Sequence, residues 1–290
     1  MEFSKVNIDN YKIAQPYLEN EKICEFGITP TCLYAPIDTG AFALKNDFLI
    51  FTCIEDGERY FSITGDFLQT EKITDIIEEL KKQFGYVKLK FLTKERAKAI
   101  SEIYKISKID IKSDPDQFDY IYKTEDFINI SGKAVQRKRA GYNAFINNNS
   151  FAYKEIERSD RDDCMEIVNC WCERKDCNAC EYACEKKIME NLFERWDDYP
   201  VKGGMIYIDN IPQALLICEI LGDTAMGYHQ KTRTTDIKGL SYGIYIETIK
   251  RTFSDCRYFN IGPDMGVMGL RQFKRQFKPF EMVEKYEIKL

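Results

Sequence analysis

The chain has 290 residues, of which 44% are hydrophobic and 31% charged, and its net charge at pH 7 is −5. This composition is typical of a globular protein with a full hydrophobic core and excludes a disordered chain. The negative charge argues against a globally basic nucleic-acid binder, although a local basic patch can still attract phosphates. The length predicts two domains or one large domain.

The sequence carries no signal of secretion or of a membrane span. Its first residues do not join a basic start to an apolar run, which argues against a signal peptide. The longest apolar stretches, such as 48–54, are strand-sized, whereas a membrane helix needs roughly 20 apolar residues. The odd count of 11 cysteines favours reduced thiols. We therefore expect a cytoplasmic protein without an integral membrane segment.

The first half is predicted to alternate helices and strands. Apolar residues at roughly helical spacing predict a helix over 3–20, which Asn7 to Asn10 would break or cap. Two runs rich in β-formers, 47–54 and 59–64, flank Glu55-Asp56-Gly57, which predicts a hairpin. The elements that follow are a helix over 71–84, a strand over 86–92 and a helix over 95–104.

A polar, turn-rich segment, 109–119, is predicted to link two halves, which gives domains 1–122 and 123–290. The predicted helices of the second half cover 131–147, 160–171, 184–196 and 240–253, and its strands 151–156, 204–208, 211–221, 224–229 and 257–261. The order strand, hairpin, strand, polar loop, helix, strand occurs in both halves. We therefore predict an α/β fold made of two related units.

The loop after the predicted strand that ends at His229 has the layout of an anion site. Backbone N–H groups at the start of the next helix can hold an anion. Lys231, Arg233 and Lys238 add positive charge, and Gly239 lets a ligand approach the backbone. The pattern fits either a pyrophosphate or phosphodiester site or an ordinary solvated loop.

The segment Asn260–Gly266 follows a strand and contains two glycines and a proline, which predicts a fixed turn. Asp264 would then be held at the end of the sheet, where α/β proteins bind ligands, or would form a common Asx turn. Arg271 and Lys274 lie three apart and share a face if the segment is helical. They would grip a carboxylate or phosphate, or form a solvated basic face.

Two further polar residues are candidates on neighbouring strands. His229 is the only histidine, which excludes a multi-histidine metal site. It is either a general base or a structural residue. Glu219 interrupts an apolar strand, so it lies either on a solvent face or in a cleft, where it would bind a substrate amine.

The predicted helix over 131–147 is basic. It carries Lys133, Arg137, Lys138 and Arg139. These residues would bind a polyanion, such as a tRNA acceptor stem or a coenzyme phosphate, or form a solvated face.

A cysteine cluster lies between two of the predicted helices. Cys172, Cys177, Cys180 and Cys184 would supply four thiolates to zinc or an iron–sulfur cluster. Their spacing matches no standard zinc ribbon. Reduced thiols without a metal are the favoured interpretation.

Three motifs together resemble a known family. SGKAVQRKRAGYNAFI is similar to the "GKK…KRN…NRF" element of the phosphatidylglycerol lysyltransferase C-terminal-like family, and FNIGPDMGVMGLRQFKRQFKP is similar to its "N-x-E-x-D-x-G-x-x-GLR-x-x-K-x-x-x-x-P" element. GYHQKTRTTDIKG lies where that family has an H-x-E-K loop. Gln230 replaces the acidic residue of that loop, and Gly262 stands where many members have Glu. The resemblance runs from about Asp47 to the end of the chain.

The resemblance implies two tandem acetyltransferase-like (GNAT) domains, with mixed central sheets flanked by helices. Membrane-bound members of the family move lysine or alanine from aminoacyl-tRNA onto a lipid head group, and we expect no counterpart of their membrane domain in this sequence. The positions that match the family motifs are Arg137, Lys138, Arg139, Asn143, His229, Lys231, Asn260, Asp264, Gly266, Gly269, Leu270, Arg271 and Lys274.

The leading hypothesis is an acyl or aminoacyl transferase that acts on an amine or hydroxyl, in a small molecule or a lipid head group. The donor substrate would be acyl-CoA or aminoacyl-tRNA, and no other cofactor is predicted. The donor phosphates would lie on the basic helix or on the 231–239 loop, Glu219 or Asp264 would hold an amine, and Arg271 would steady oxygens in the same groove. The rival hypotheses are a non-catalytic ligand-binding protein on a degenerate GNAT scaffold and a metal-dependent redox sensor.

Overall fold

The computed structural model describes residues 1–18, 20–27, 40–55, 57–107, 110–130, 135–175 and 184–290. Of the residues singled out above, Lys133, Cys177 and Cys180 lie outside these ranges. The strands in chain order are β1 (Ser4–Lys5), β2 (Ala41–Lys45), β3 (Phe48–Glu55), β4 (Glu58–Thr64), β5 (Lys88–Leu92), β6 (Ile111–Ser113), β7 (Asp119–Lys123), β8 (Phe151–Glu155), β9 (Val201–Ile208), β10 (Ile211–Leu221), β11 (Thr224–Thr232), β12 (Tyr258–Asn260), β13 (Glu281–Val283) and β14 (Tyr286–Lys289). The helices are α1 (Ile8–Ala14), α2 (Thr70–Phe84), α3 (Lys94–Tyr104), α4 (Thr124–Ile128), α5 (Gln136–Asn148), α6 (Arg161–Lys175), α7 (Glu185–Glu194), α8 (Leu240–Thr252) and α9 (Met268–Gln276).

These elements form two compact units. The first consists of Met1–Asp119 together with Val283–Leu290, and the second of Tyr120–Met282. The chain thus returns to the first unit at its C-terminal end, where β14 pairs with both β5 and β6. The predicted domains 1–122 and 123–290 did not include this return of Val283–Leu290 to the first unit.

The first unit is built on a sheet with strand order β1-β2-β3-β4-β5-β14-β6. β3 and β4 form the predicted antiparallel hairpin, and β5 returns parallel to β4 after α2. Helix α2 forms because its apolar residues recur at helical spacing and share one buried face. They are Ile73, Ile76, Ile77 and Leu80. Gly85 ends the helix with φ 81°, the left-handed conformation that glycine adopts without steric cost.

The predicted helix over 3–20 is wrong at both ends. Ser4–Lys5 pairs with β2 instead. The side chain of Asn7 accepts hydrogen bonds from two backbone N–H groups and caps α1, so the helix begins only at Ile8. Pro16 falls in a 3-10 turn that ends the helical segment. The predicted linker over 109–119 likewise contains β6 and the first residue of β7.

The second unit repeats this plan on a sheet with strand order β13-β7-β12-β11-β10-β9-β8. β9, β10 and β11 are consecutive antiparallel strands, and β12 returns parallel to β11 after α8. The turn between β9 and β10 is the predicted Asp209-Asn210, with φ 52° and 61°. Two successive left-handed residues match the twist of a tight hairpin. The predicted hairpin–helix–strand repeat is therefore confirmed in both units.

The two faces of β10 pack against different helices, one against α8 and the other against α6. Ala214, Leu216 and Cys218 join the core cluster that includes the apolar residues of α8. Because side chains alternate along a strand, Ile217 and Glu219 lie on the opposite face, and α6 packs against β10 and β11. This second face carries several of the residues predicted to be functional.

Candidate active site

The parallel strands β11 and β12 part at their carboxyl ends. They pair only between Thr224–Met226 and Tyr258–Asn260, although β11 continues to Thr232. After β12 the chain stays beside β7, because the N–H of Ile261 donates to the carbonyl of Tyr120 at 3.2 Å. α/β sheets bind ligands where neighbouring strands diverge in this way. This end of the sheet is therefore the candidate site.

At this end of the sheet the buried carboxylate of Asp264 forms an ion pair with the partly exposed Arg271. Arg271 donates to it through two hydrogen bonds, Nε to Oδ2 at 2.9 Å and a terminal nitrogen to Oδ1 at 2.7 Å. The Tyr120 hydroxyl donates to Oδ2 at 2.5 Å, and the N–H of Gly266 to Oδ1 at 3.0 Å. The hydrogen bonds from Arg271 and Tyr120 hold the Asp264 pKa well below its usual range, against the opposing effect of burial.

Lys274 holds the backbone of the same turn. Its ammonium group is buried and donates to three successive carbonyls, those of Ile261, Gly262 and Pro263, at 2.5, 3.0 and 2.7 Å. The buried side chain of Asn260 accepts from the N–H of Gly262 at 2.7 Å. The predicted turn is thus present, and Arg271 and Lys274 bind the protein's own oxygens within it.

A second charged cluster lies on the face of the sheet next to α6 and α7. Glu185, at the start of α7, contacts Nδ1 of His229 at 3.2 Å and the ammonium group of Lys231 at 3.0 Å. The Lys231 nitrogen also lies 4.4 Å from the ring centre of Trp171 on α6. Burial disfavours the Glu185 anion, but the hydrogen bonds and charges of His229 and Lys231 outweigh it and lower the Glu185 pKa to about 2.

Glu219 and Arg233 lie near this cluster along the chain. Glu219 is buried and pairs in register with Met226 of β11. Its burial excludes the solvent-face alternative. Arg233, just after β11, forms an ion pair with Glu166 of α6. Arg233 is thus tied to α6 at the start of the predicted anion loop.

Gly239 was expected to let a ligand approach the backbone, but in the structure it allows two helices of the protein to pack closely. It begins α8 with φ 82°, and a Cβ atom there would lie 2.1 Å from the carbonyl oxygen of Gly141 in α5. The close approach that glycine permits is therefore between two segments of the protein. Lys238, next to it, is exposed.

The predicted basic helix does not present one continuous patch. Lys138 is fully buried, donates to the carbonyl of Asp126 at 2.8 Å, and lies 4.8 Å from the ring centre of Phe127. Burial lowers its pKa to about 8. Arg137 and Asn143 are exposed, and the guanidinium group of Arg139 donates to the carbonyl of Ile130 at 3.3 Å. The patch thus lacks Lys138, which helix packing turns toward the core.

The predicted site residues therefore fall into separate groups. Asp264, Arg271, Lys274 and Asn260 share one turn, and His229 and Lys231 share Glu185. The sequence analysis did not identify Glu185 or Tyr120 as site residues, although Glu185 stands at the start of a predicted helix. Since Cys177 and Cys180 lie outside the described residues, the structure does not test a four-thiolate site.

The first unit contains a charged cluster that the sequence did not predict. Cys24, Glu25 and Asp119 each offer one atom that can bind a metal, and these three atoms lie within 4.8 Å of one another. The ammonium group of Lys285 already lies between the two carboxylates, 2.5 Å from Glu25 and 2.7 Å from Asp119. A cation is therefore supplied by the chain itself.

Within the described parts of the chain, no helix is long and apolar enough to span a membrane.

The chain is similar to a known protein family and to several solved structures. The family model described as "Phosphatidylglycerol lysyltransferase, C-terminal" matches residues 46–289. No curated protein sequence matches the chain. A crystal structure of a conserved protein of unknown function from Bacteroides thetaiotaomicron is 20% identical, covers 99% of this chain and 98% of its own, and superposes with a TM-score of 0.89.

Two further solved structures share the fold at lower identity. The C-terminal domain of a proposed lysylphosphatidylglycerol synthetase from Agrobacterium fabrum is 10% identical, covers 97% of this chain and 91% of its own, and has a TM-score of 0.69. A tandem GNAT protein from the clavulanic acid biosynthesis pathway is 8% identical, covers 99% and 98%, and has a TM-score of 0.52. The predicted pair of tandem GNAT domains is thereby confirmed.

Proposed function

Because the chain belongs to the family of phosphatidylglycerol lysyltransferase C-terminal domains, we propose that it is a transferase that moves an acyl or aminoacyl group from a phosphate-bearing donor to an amine or hydroxyl. The observation that supports this most is the divergence of β11 and β12 after Met226 and Asn260. Polar and charged residues belong to both strands, since His229 and Lys231 lie on β11 and Asp264 follows β12. A reacting carbonyl held there would meet its acceptor at the end of the sheet.

In this proposal the donor phosphates lie at the loop between β11 and α8. The start of α8 contributes the partial positive charge of a helix N-terminus, and the exposed Lys238 adds a full one. Arg233 is already paired with Glu166 and would bind phosphate only by exchanging partners. Acyl-CoA and aminoacyl-tRNA both carry the required phosphates.

The ionised Asp264 would act indirectly, by fixing the turn that borders the acceptor site, because it is buried and each of its oxygens already accepts two hydrogen bonds. It cannot serve as a general acid near neutral pH, because its pKa lies well below the usual range. Arg271 and Lys274 act as positioning residues in this scheme, since they fix the carboxylate and the turn that carries it. His229 and Lys231, held by Glu185, would fix the end of β11 in the same way. Transfer would proceed by positioning and electrostatic stabilisation, without a covalent enzyme intermediate.

The test compares acetyl-CoA and lysyl-tRNA as donors. Binding is measured by titration, and transfer by mass spectrometry of a mixture of small amines, hydroxyl compounds and lipid head groups. We expect one donor to bind and react, and Lys238→Ala to weaken its binding about fivefold, the effect of one exposed charge–phosphate contact. Lys250→Ala, an exposed lysine near the other end of α8, is the matched control.

The outcomes separate the two leading hypotheses. Transfer from either donor supports the enzyme. Specific donor binding without transfer to any acceptor class supports the ligand-binding protein on a GNAT scaffold. Failure of both donors to bind contradicts the proposed function.

A further inference from the structure

The charged cluster of the first unit places a thiol beside an amine. The ammonium nitrogen of Lys285 lies 3.9 Å from the sulfur of Cys24, and only 4% of the Lys285 side chain is exposed. Reactants held ready to bond lie about 3–3.5 Å apart, so a small side-chain movement would bring these two atoms within reach. Cys24 begins the 3-10 turn Cys24–Phe26 and Lys285 directly precedes β14, so the pair joins residues 261 positions apart.

Two carboxylates hold both of these groups. The Cys24 sulfur lies within hydrogen-bond distance of each, 3.3 Å from Asp119 and 3.5 Å from Glu25. The Lys285 ammonium group donates to the same two residues at 2.7 and 2.5 Å. The N–H of Cys24 also donates to Asp119, at 2.9 Å, which fixes the backbone beside the sulfur. Bases are therefore in place for the protons that sulfur and nitrogen must lose before they can bond.

Cys24 is accessible to a small oxidant, because the residue is only partly buried. Hydrogen peroxide converts a thiol to a sulfenic acid, whose sulfur is then attacked by a neighbouring nucleophile or oxidised further. Burial and the charges of Asp119 and Glu25 raise the pKa of Cys24, so the thiolate is scarce and this first step is slow. Once the sulfenic acid has formed, Lys285 supplies the nucleophilic nitrogen.

We propose that Cys24 and Lys285 are a modification site at which hydrogen peroxide forms a sulfenamide, a covalent bond between Sγ and Nζ. In the first step peroxide transfers one oxygen to sulfur and leaves as water, which gives the sulfenic acid. In the second step Lys285 gives one proton to Glu25 or Asp119, its nitrogen attacks the sulfur, and the S–O bond breaks. The departing hydroxide takes a second proton from the nitrogen and leaves as water. Sulfur is oxidised by two electrons, and one peroxide is reduced to two waters.

The cluster can take up the proton that this reaction releases. Burial raises the pKa of Glu25, which favours its neutral acid. The sulfenamide nitrogen carries no charge, so the total charge of the four groups is the same before and after the reaction. The ion pairs that fasten the C-terminal segment would thus be exchanged for a covalent bond, which thiol reductants reverse. The inference does not depend on the proposed transferase activity.

The experiment compares the reduced full chain with the chain treated with hydrogen peroxide, by mass spectrometry of tryptic peptides after the remaining thiols are blocked. Trypsin cuts after lysine and arginine except before proline, and it does not cut after a lysine whose nitrogen is bonded to sulfur. We expect the treated protein to lose cleavage after Lys285 and to yield residues 23–45 joined to residues 276–289. The joined peptide should be lighter by two hydrogens than the two peptides with Cys24 as a thiol. Dithiothreitol added before digestion should restore the cleavage.

Three variants identify the two bonded atoms. Cys24→Ser and Lys285→Arg should each lose the joined peptide, and the arginine keeps the positive charge of the cluster, so that this variant folds. Cys53→Ser removes another cysteine of the same unit and is the matched control, which should form the joined peptide as the parent does. Circular dichroism confirms that each variant is folded.

Three results would overturn the proposal. The first is full tryptic cleavage after Lys285 in the peroxide-treated parent. The second is Cys24 recovered only as a sulfinic acid, which would show that Lys285 does not intercept the sulfenic acid. The third is a joined peptide that persists in Cys24→Ser, which would assign the bond to a different sulfur.

Discussion

The ammonium nitrogen of Lys285 lies 2.7 Å from a carboxylate oxygen of Asp119, and both side chains are almost completely buried. Glu25 completes the cluster at 2.5 Å from the same nitrogen. Burial disfavours the charge on Lys285, but Asp119 and the neighbouring groups outweigh it and raise the Lys285 pKa. This ion cluster anchors the returning C-terminal segment within the first unit.

Lys285→Met should therefore destabilise the protein strongly. The substitution leaves the buried Asp119 and the partly buried Glu25 without their cation, a loss that costs about 3–5 kcal/mol. Urea denaturation at pH 7 measures the change. Lys289→Met is the control on the same segment, because Lys289 is largely exposed and its ion pair with Glu58 is worth at most about 1 kcal/mol. Equal losses in the two variants would show that the buried cluster is not the anchor.

Arg271→Ala should lower the free energy of unfolding, so stability has to be measured before a loss of activity is assigned to catalysis. Asp264 would keep its burial and its hydrogen bond from Tyr120 but lose both hydrogen bonds from the guanidinium group. We expect a loss of about 2–4 kcal/mol in the free energy of unfolding. Arg271→Lys should recover only part of it, since a lysine cannot make the two parallel bonds.

The control for the Asp264–Arg271 pair is Gln272→Ala, on the same helix with an exposed side chain. Chemical denaturation of the three variants checks the order. If Arg271→Ala unfolds at the same urea concentration as the parent, the Asp264–Arg271 pair does not stabilise the turn, and a role in function is favoured. In that case we would expect Arg271→Ala to abolish transfer while leaving the fold intact.

Local patterns were enough to predict much of the fold. The hairpins follow from β-rich runs broken by turn residues, and α2 follows from isoleucines and a leucine at helical spacing. The turn at Asn260–Gly266 was predictable because proline fixes its own φ angle and glycine adopts the positive φ angles that such turns need. These features depend on residues close together in the chain.

Contacts between distant residues were not predictable in the same way. Lys285 and Asp119 are 166 positions apart, and His229 and Glu185 are 44 apart. No periodicity within one segment specifies such a pair. The burial of Lys138 left a usable signal, because Lys138 lies seven positions before the buried Phe145 and shares its helix face. The basic residues on either side of Lys138 concealed that signal.

The contribution of Glu185 to stability should fall away in acid. Its folded pKa of about 2 lies below its ordinary value of 4.5, so the stabilisation is complete above about pH 4.5 and is lost as the pH falls toward 2. The difference in unfolding free energy between the parent and Glu185→Gln should be at most about 3 kcal/mol at pH 7. It should shrink steadily between pH 5 and pH 3, in urea titrations at each pH. Glu194→Gln, an exposed residue on the same helix, should show no such trend. A constant difference for Glu185→Gln would exclude its contacts with His229 and Lys231 as the origin.

Gly239→Ala tests whether the start of α8 is fixed by packing or reserved for a ligand. The new Cβ would lie 2.1 Å from the carbonyl oxygen of Gly141, and the residue has φ 82°. Strain of the left-handed backbone and displacement of α5 together should cost about 3 kcal/mol. Gly269→Ala is the matched control, because its Cβ would meet no atom within 4 Å and alanine favours the helix, by up to about 1 kcal/mol. Thermal unfolding of both variants measures the contrast. A stable Gly239→Ala protein that no longer binds a donor would instead assign the glycine to the ligand.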